Sequence, residues 1–246
     1  MEHSTSRIRD AIALTFASFF PLVMALLYFV VLNNPGGGTN RALIAAFGIG
    51  KLVQFLFPAA YIGWFERKKM GLPGPSLRGM GLGVLFALVV GASMSLLYFF
   101  WARHLPVVAE TTPAMVNDRL KQFGRDSPMG FLLMAAYICG VHSLAEEYYW
   151  RWFVFGWMRR HLSLAVAIVL SATGFMLHHV VILGVYFPGH FWTLALPFSL
   201  CVAVGGGFWA WLYQRSGSLY APWLSHALVD AAIMSLGYLM LRRYWP

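Results

Sequence analysis

The chain has 246 residues, of which 59% are hydrophobic and 11% are charged, and its mean hydropathy is +0.65. A soluble chain carries about a quarter charged residues, so this composition excludes an ordinary soluble domain. The formal net charge of +9 is typical of membrane proteins, in which Lys and Arg collect in short loops. Nucleic-acid binding is disfavoured, because no soluble basic segment with interleaved aromatic residues is present. The two cysteines lie in apolar segments and indicate no disulfide framework.

Apolar segments long enough to cross a bilayer recur along the chain and predict an all-α fold, a polytopic transmembrane helix bundle. We expect about seven spans, with eight as the alternative, and no cleavable signal peptide before the first span. A small excess of basic residues predicts a cytoplasmic N-terminus. The predicted spans are Ala11–Leu32, Ala42–Trp64, Gly81–Trp101, Met129–Phe155, Leu162–Leu183, Phe191–Tyr213 and Leu219–Leu241.

The longest polar segment, 103–128, separates the third and fourth predicted spans. Within it, "TTPAMVNDRLKQF" has a Thr that can cap a helix, a Pro at the first helical position and apolar residues near one face. This pattern predicts a short interfacial helix. We therefore divide the chain into N-terminal spans with an interfacial segment, 1–128, and a C-terminal helix bundle, 129–246.

Several ionisable residues lie inside the predicted spans, where a charged group costs roughly 2.5–3.5 kcal/mol at a helix centre. Such residues tend to face the bundle interior and each other, so they indicate a functional site between spans four, five and seven. These residues are His142, Glu146, Glu147, Arg151, His178, His179, His226 and Asp230.

Spacing separates the two adjacent glutamates. Glu147 and Arg151 are four residues apart and share a helix face, so we expect them to form a buried ion pair. Glu146 lies about 100° around the helix from Glu147 and need not share the arginine. We therefore expect Glu146 to lack a nearby cation, and an unpaired carboxylate in a low-dielectric site can serve as a general base.

The same spacing of four residues pairs side chains on two other spans. The Asp230 carboxylate can orient the His226 imidazole, and the Phe175 ring can shield His179 from lipid. Other polar residues have simpler interpretations. We interpret His142 and His178 as ordinary interhelical hydrogen-bonding groups. Lys51, alone in the second span, either extends to the interface or caps a polar cavity.

Three motifs in order carry a resemblance to a known family. "EEYYWR" fits EExxxR, "FMLHH" fits FxxxH with its last histidine, and "HALVD" fits HxxxN/D. Over about Met129–Leu241 the chain resembles the CPBP family (CAAX proteases and bacteriocin-processing enzymes, also called Abi) of intramembrane endopeptidases, which includes the Ras-converting CAAX protease. The first hundred residues carry no signature of this family.

The resemblance implies hydrolysis of a peptide bond in a membrane-associated peptide or protein. It implies that Glu146 and His179 activate the water and that His226 and Asp230 stabilise the oxyanion. Asp230 stands where Asn is frequent, and an ionised Asp cannot donate a hydrogen bond, so we expect it to orient His226 instead. The supporting residues are Glu147, Arg151 and Phe175.

We expect no metal, because the HExxH helix of membrane zinc proteases is absent; the zinc alternative would use Glu146, His179 and His226. The expected partners are a membrane-associated peptide or protein substrate and the lipid bilayer, and no nucleic acid is expected. We expect a multi-pass protein of the prokaryotic inner membrane. Ionisable residues inside membrane spans are also compatible with three other functions. These are a proton-coupled transporter, a haem protein, and a catalytically idle scaffold or immunity protein.

Overall fold

A computed structural model describes residues 2–66 and 71–245, and no strand occurs in these two ranges. Seven of its helices are long and apolar enough to cross a membrane, which confirms the all-α class and the seven predicted spans. The spans, called first to seventh below, are Arg7–Val31, Arg41–Phe65, Met80–His104, Pro128–Met158, Leu164–Tyr186, Phe191–Ser216 and Tyr220–Tyr244.

Several spans combine α-helical and π-helical turns. The α-helical segments are Glu2–Leu26, Arg41–Tyr61, Met80–Phe100, Thr112–Gln122, Pro128–Ala136, Ser143–Glu147, Gly156–Met158, Leu164–Tyr186, Leu196–Ser216 and Tyr220–Leu241. The π-helical segments are Leu27–Val31, Ile62–Glu66, Val107–Thr111, Tyr137–His142, Tyr148–Phe155 and Phe191–Ala195. Short 3₁₀ turns are Ala102–His104 and Arg242–Tyr244.

The fourth span is the most irregular, because π-helical turns lie on both sides of Ser143–Glu147. Each π turn changes the direction in which the following side chains point, and such turns are frequent at functional sites. After the glutamates, Tyr149 and the six residues that follow it are all buried. The second half of the span thus lies in the interior of the bundle and carries both glutamates there.

The predicted interfacial helix is present as Thr112–Gln122, with Pro113 in its first turn. The predicted threonine cap is wrong, since no side chain caps this helix. Instead, the Thr112 hydroxyl donates to the Tyr186 carbonyl oxygen at 2.7 Å, which ties the helix to the end of the fifth span. Arg119 donates to the Tyr28 carbonyl oxygen at 3.1 Å and ties it to the first span.

The N-terminal spans pack directly on the spans that carry the motifs. The first span lies against the fifth, and the third lies against the seventh. Gly83 permits the second of these contacts, because a Cβ atom there would lie 2.8 Å from the Ala221 carbonyl oxygen. Many large apolar side chains of the first three spans point outward, as expected for a surface that faces lipid.

Candidate active site

Glu146 lies at the centre of a cluster of histidines. Its Oε1 atom is 3.3 Å from Nε2 of His142 and 3.9 Å from Nε2 of His178, and its Oε2 atom is 3.8 Å from Nε2 of His226. The residue is only 5% exposed. Three imidazoles, which are charged only when protonated, therefore surround Glu146, and Arg151 pairs with Glu147 instead. His142 and His178 both face Glu146 and therefore line this cluster.

His226 connects the two glutamates. Its Nδ1 atom lies 2.8 Å from Oε1 of Glu147, while its Nε2 atom faces both Glu146 and, at 3.7 Å, Oδ2 of Asp230. A carboxylate can only accept, so Nδ1 carries the proton of this hydrogen bond. The expectation that Asp230 orients His226 stays a prediction, since Asp230 only approaches Nε2 and the short hydrogen bond of the ring is accepted by Glu147.

Glu147 and Arg151 form the ion pair that their spacing predicts. Nε of Arg151 lies 3.1 Å from Oε2 of Glu147, and the side chains are 2% and 0% exposed. The guanidinium also lies over two aromatic rings, 4.7 Å from the centroid of Phe175 and 5.2 Å from that of Trp209. The cation is thus compensated by one carboxylate and two ring faces.

His179 is held by its own helix. Its Nδ1 atom donates to the Phe175 carbonyl oxygen at 3.0 Å, since a carbonyl oxygen can only accept. This hydrogen bond leaves Nε2 of a neutral ring as the basic nitrogen. The Phe175 ring packs against His179 with centroids 4.9 Å apart and against His226 at 5.9 Å. In the described ranges no ion pair within 4.0 Å joins His179 to Glu146.

The sixth span adds a residue that sequence reasoning missed. The indole of Trp209 stacks on the His226 imidazole, with centroids 4.1 Å apart and planes inclined by 18°. Its Nε1 atom donates to the Ser225 hydroxyl at 3.0 Å, which holds the indole in place. Trp209 lies in none of the three motifs, so no spacing along the chain indicated it.

The three residues of the zinc alternative are not gathered around one point, and the expectation of no metal stays a prediction. Among the described residues, no group of three or more His, Cys, Asp or Glu side chains is arranged to hold a metal ion. The proposed set of Glu146, His179 and His226 shares one close contact, between Glu146 and His226. We therefore derive no step through a metal.

The fold and the site together define an integral multi-pass membrane protein with a buried cluster of glutamates and histidines between its spans. The model of the family described as type II CAAX prenyl endopeptidase Rce1-like matches residues 128–232, which include all three motifs. Residues 128–232 are therefore similar to this family, which confirms the resemblance noted in the sequence. No curated protein and no solved structure gives a significant match to the chain.

Proposed function

We propose that the chain is an intramembrane endopeptidase that hydrolyses a peptide bond in a membrane-associated peptide or protein. The observation that carries this proposal is the position of Glu146, a buried carboxylate within 4 Å of three imidazoles. Within a family of proteases, such a carboxylate is the natural general base for a water.

Water activation would be shared between Glu146 and His179. The two side chains lie on neighbouring spans and do not contact each other directly, which suits two groups that bind the same water. The hydrogen bond from Nδ1 to the Phe175 carbonyl oxygen keeps Nε2 of His179 available to accept a hydrogen bond from the water. Glu146 would accept the proton of the water and pass it to the leaving amine.

His226 would stabilise the oxyanion that forms on the peptide carbonyl. Its Nδ1 proton is engaged by Glu147, so Nε2 can donate only when the ring is an imidazolium. Glu147 stabilises this charged form, as the carboxylate of a catalytic triad does for its histidine. Asp230, next to Nε2, would donate a second hydrogen bond to the oxyanion in its protonated form. We further propose that the reaction needs no metal.

The test is cleavage of a peptide library by the purified protein in liposomes, with products identified by mass spectrometry. Glu146→Gln keeps the size of the side chain and removes its basicity, and Glu110→Gln makes the same change at an exposed position outside the site. We expect wild type and Glu110→Gln to cut the same peptides, with or without chelator, and Glu146→Gln to cut none. Equal cleavage by Glu146→Gln would exclude Glu146 as the base, and cleavage abolished by chelator would contradict the metal-free reaction.

A further inference from the structure

Arg119 of the interfacial helix is a buried cation, and no carboxylate of the described residues lies within 4.0 Å of its guanidinium. The residue is 9% exposed, and it donates to the Tyr28 carbonyl oxygen at 3.1 Å and to Oδ1 of Asn33 at 3.0 Å. Its other neighbours are Oε1 of Gln122 at 3.4 Å and the Phe29 ring, whose centroid lies 5.0 Å from the guanidinium. All of these groups are neutral. Because burial of an uncompensated charge is costly, this guanidinium is suited to an anionic ligand.

A small cavity lies beside this guanidinium, where the first and fifth spans end. Its polar lining residues are Arg119, Asn33, Gln122, Asp118 and Tyr186, and its other lining residues are apolar. The Tyr186 side chain also interacts with the guanidinium. The cavity has a volume of about 40 Å³ and is partly open to the outside. This volume holds about three water molecules, so it is comparable in size with one phosphate group.

Asp118 precedes Arg119 in the interfacial helix but lies nearer to the surface. Its side chain is 37% exposed, and its Oδ2 atom accepts from the Gly36 backbone N–H at 3.2 Å. Its Oδ1 atom lies 4.0 Å from Nζ of Lys121, which is 46% exposed. An exposed ion pair of this kind is weak, so the carboxylate can still accept from another cation. The cavity therefore has a positive charge inside and a negative charge at its edge.

The ends of membrane spans lie at the level of the lipid headgroups, so phospholipids have direct access to this cavity. A guanidinium carries five N–H donors and can bind phosphate oxygens while it keeps its contacts with the protein. We propose that the cavity binds the headgroup of an ethanolamine phospholipid, with the phosphate on Arg119 and the ammonium on Asp118. Such a lipid would hold the interfacial helix against the ends of two spans. The site is separate from the cluster around Glu146, and the inference does not rest on the proposed peptidase activity.

The test places the purified protein in vesicles with equal amounts of phosphatidylethanolamine, phosphatidylglycerol and phosphatidylcholine, and native mass spectrometry then identifies the lipids that the protein retains. We expect wild type to retain one phosphatidylethanolamine, with about tenfold or more preference over the other two lipids, as for one hydrogen bond to a charged group. The headgroups of those two lipids lack an N–H donor. Asp118→Asn should remove the preference over phosphatidylglycerol, and Arg119→Met should lower the retention of all three lipids. The controls Asp126→Asn and Arg125→Met change exposed residues just after the helix and should keep the wild-type pattern.

Arg119 also joins the helix to the first span, so Arg119→Met can lose stability for that reason alone. The comparison of wild type with Asp118→Asn does not depend on that variant. Equal retention of the three lipids by wild type, or an unchanged preference in Asp118→Asn, would overturn the proposed lipid site.

Inorganic phosphate added to the wild-type protein tests the other source of the same chemistry. We expect phosphatidylethanolamine to stay bound, because the ammonium contact with Asp118 adds to the phosphate contact with Arg119. Release of the lipid, with phosphate bound in its place, would assign the cavity to free phosphate and contradict a lipid site.

Discussion

Nδ1 of His226 and Oε1 of Glu147 lie 2.8 Å apart, although 79 positions separate the two residues along the chain. The second oxygen of Glu147 pairs with Arg151, so one buried carboxylate serves both a histidine of the seventh span and an arginine of its own span. This shared carboxylate links the stability of the bundle to the orientation of His226.

The first prediction concerns the buried pair of Glu147 and Arg151. Arg151→Met removes the cation and leaves a buried carboxylate without its main counter-charge, so we expect it to reduce the free energy of unfolding by about 3–5 kcal/mol. The double variant Glu147→Gln/Arg151→Met removes both charges and should lose less stability than the sum of the two single variants. Reversible unfolding in detergent measures both quantities, and additive losses would show that the two charges do not interact.

The second prediction concerns the indole that stacks on His226. Trp209→Leu removes the stacked ring and the hydrogen bond to Ser225, so we expect kcat to fall by about tenfold or more as the imidazole loses its alignment. Trp209→Phe restores a ring and should recover part of that loss. Trp211→Leu is the matched control, because its ring contacts Phe208 and Arg215 and not the histidines. Equal losses at positions 209 and 211 would indicate a general packing effect.

A third prediction follows from the position of Asp230. Because Glu147 already holds His226, the charge of Asp230 is not required to orient the ring. Asp230→Asn should therefore keep kcat within a few-fold of wild type, whereas Asp230→Leu should lose about tenfold, the worth of one hydrogen bond. Steady-state kinetics on the library-derived peptide measures both. A complete loss of activity in Asp230→Asn would show that the negative charge itself is needed.

A fourth prediction concerns a separate cluster at one end of the bundle. Oδ2 of Asp10 lies 2.9 Å from Nε2 of His161, and the Tyr61 hydroxyl donates to Oδ1, so the cluster joins the first two spans to the turn after the fourth. Asp10→Ala should reduce the free energy of unfolding by about 1.5–3 kcal/mol, the range for hydrogen bonds to a charged group. Asp126→Ala, at an exposed position, is the control for stability. No difference between the two variants would show that the cluster contributes nothing to stability.

Hydropathy predicted the spans to within a few residues, because the bilayer demands long apolar helices that a sequence displays directly. The motif spacing likewise placed Glu147 next to Arg151, since both lie on one helix. The pairing of His142 with Glu146 has the same spacing of four residues, so the sequence could also have predicted it.

Other features of the site depend on how the helices pack. His178 reaches Glu146 from another span, and Glu147 rather than Asp230 holds His226, because the π turns and helix contacts decide which faces meet. Trp209 and Lys51 lie on spans without a motif, so only the assembled bundle brings them near the histidines. The distances between helices decide which side chains meet, and these distances cannot be read from the sequence alone.

The central claim is that Glu146 and His179 act together on one water. The most direct measurement is kcat/KM for wild type, Glu146→Gln, His179→Ala and the double variant on one cleavable peptide. Residues that act as a unit are strongly non-additive, so we expect each single variant to lose about a thousandfold or more and the double variant to lose little beyond that. Losses that multiply in the double variant, or a Glu146→Gln enzyme with activity near that of wild type, would contradict the account.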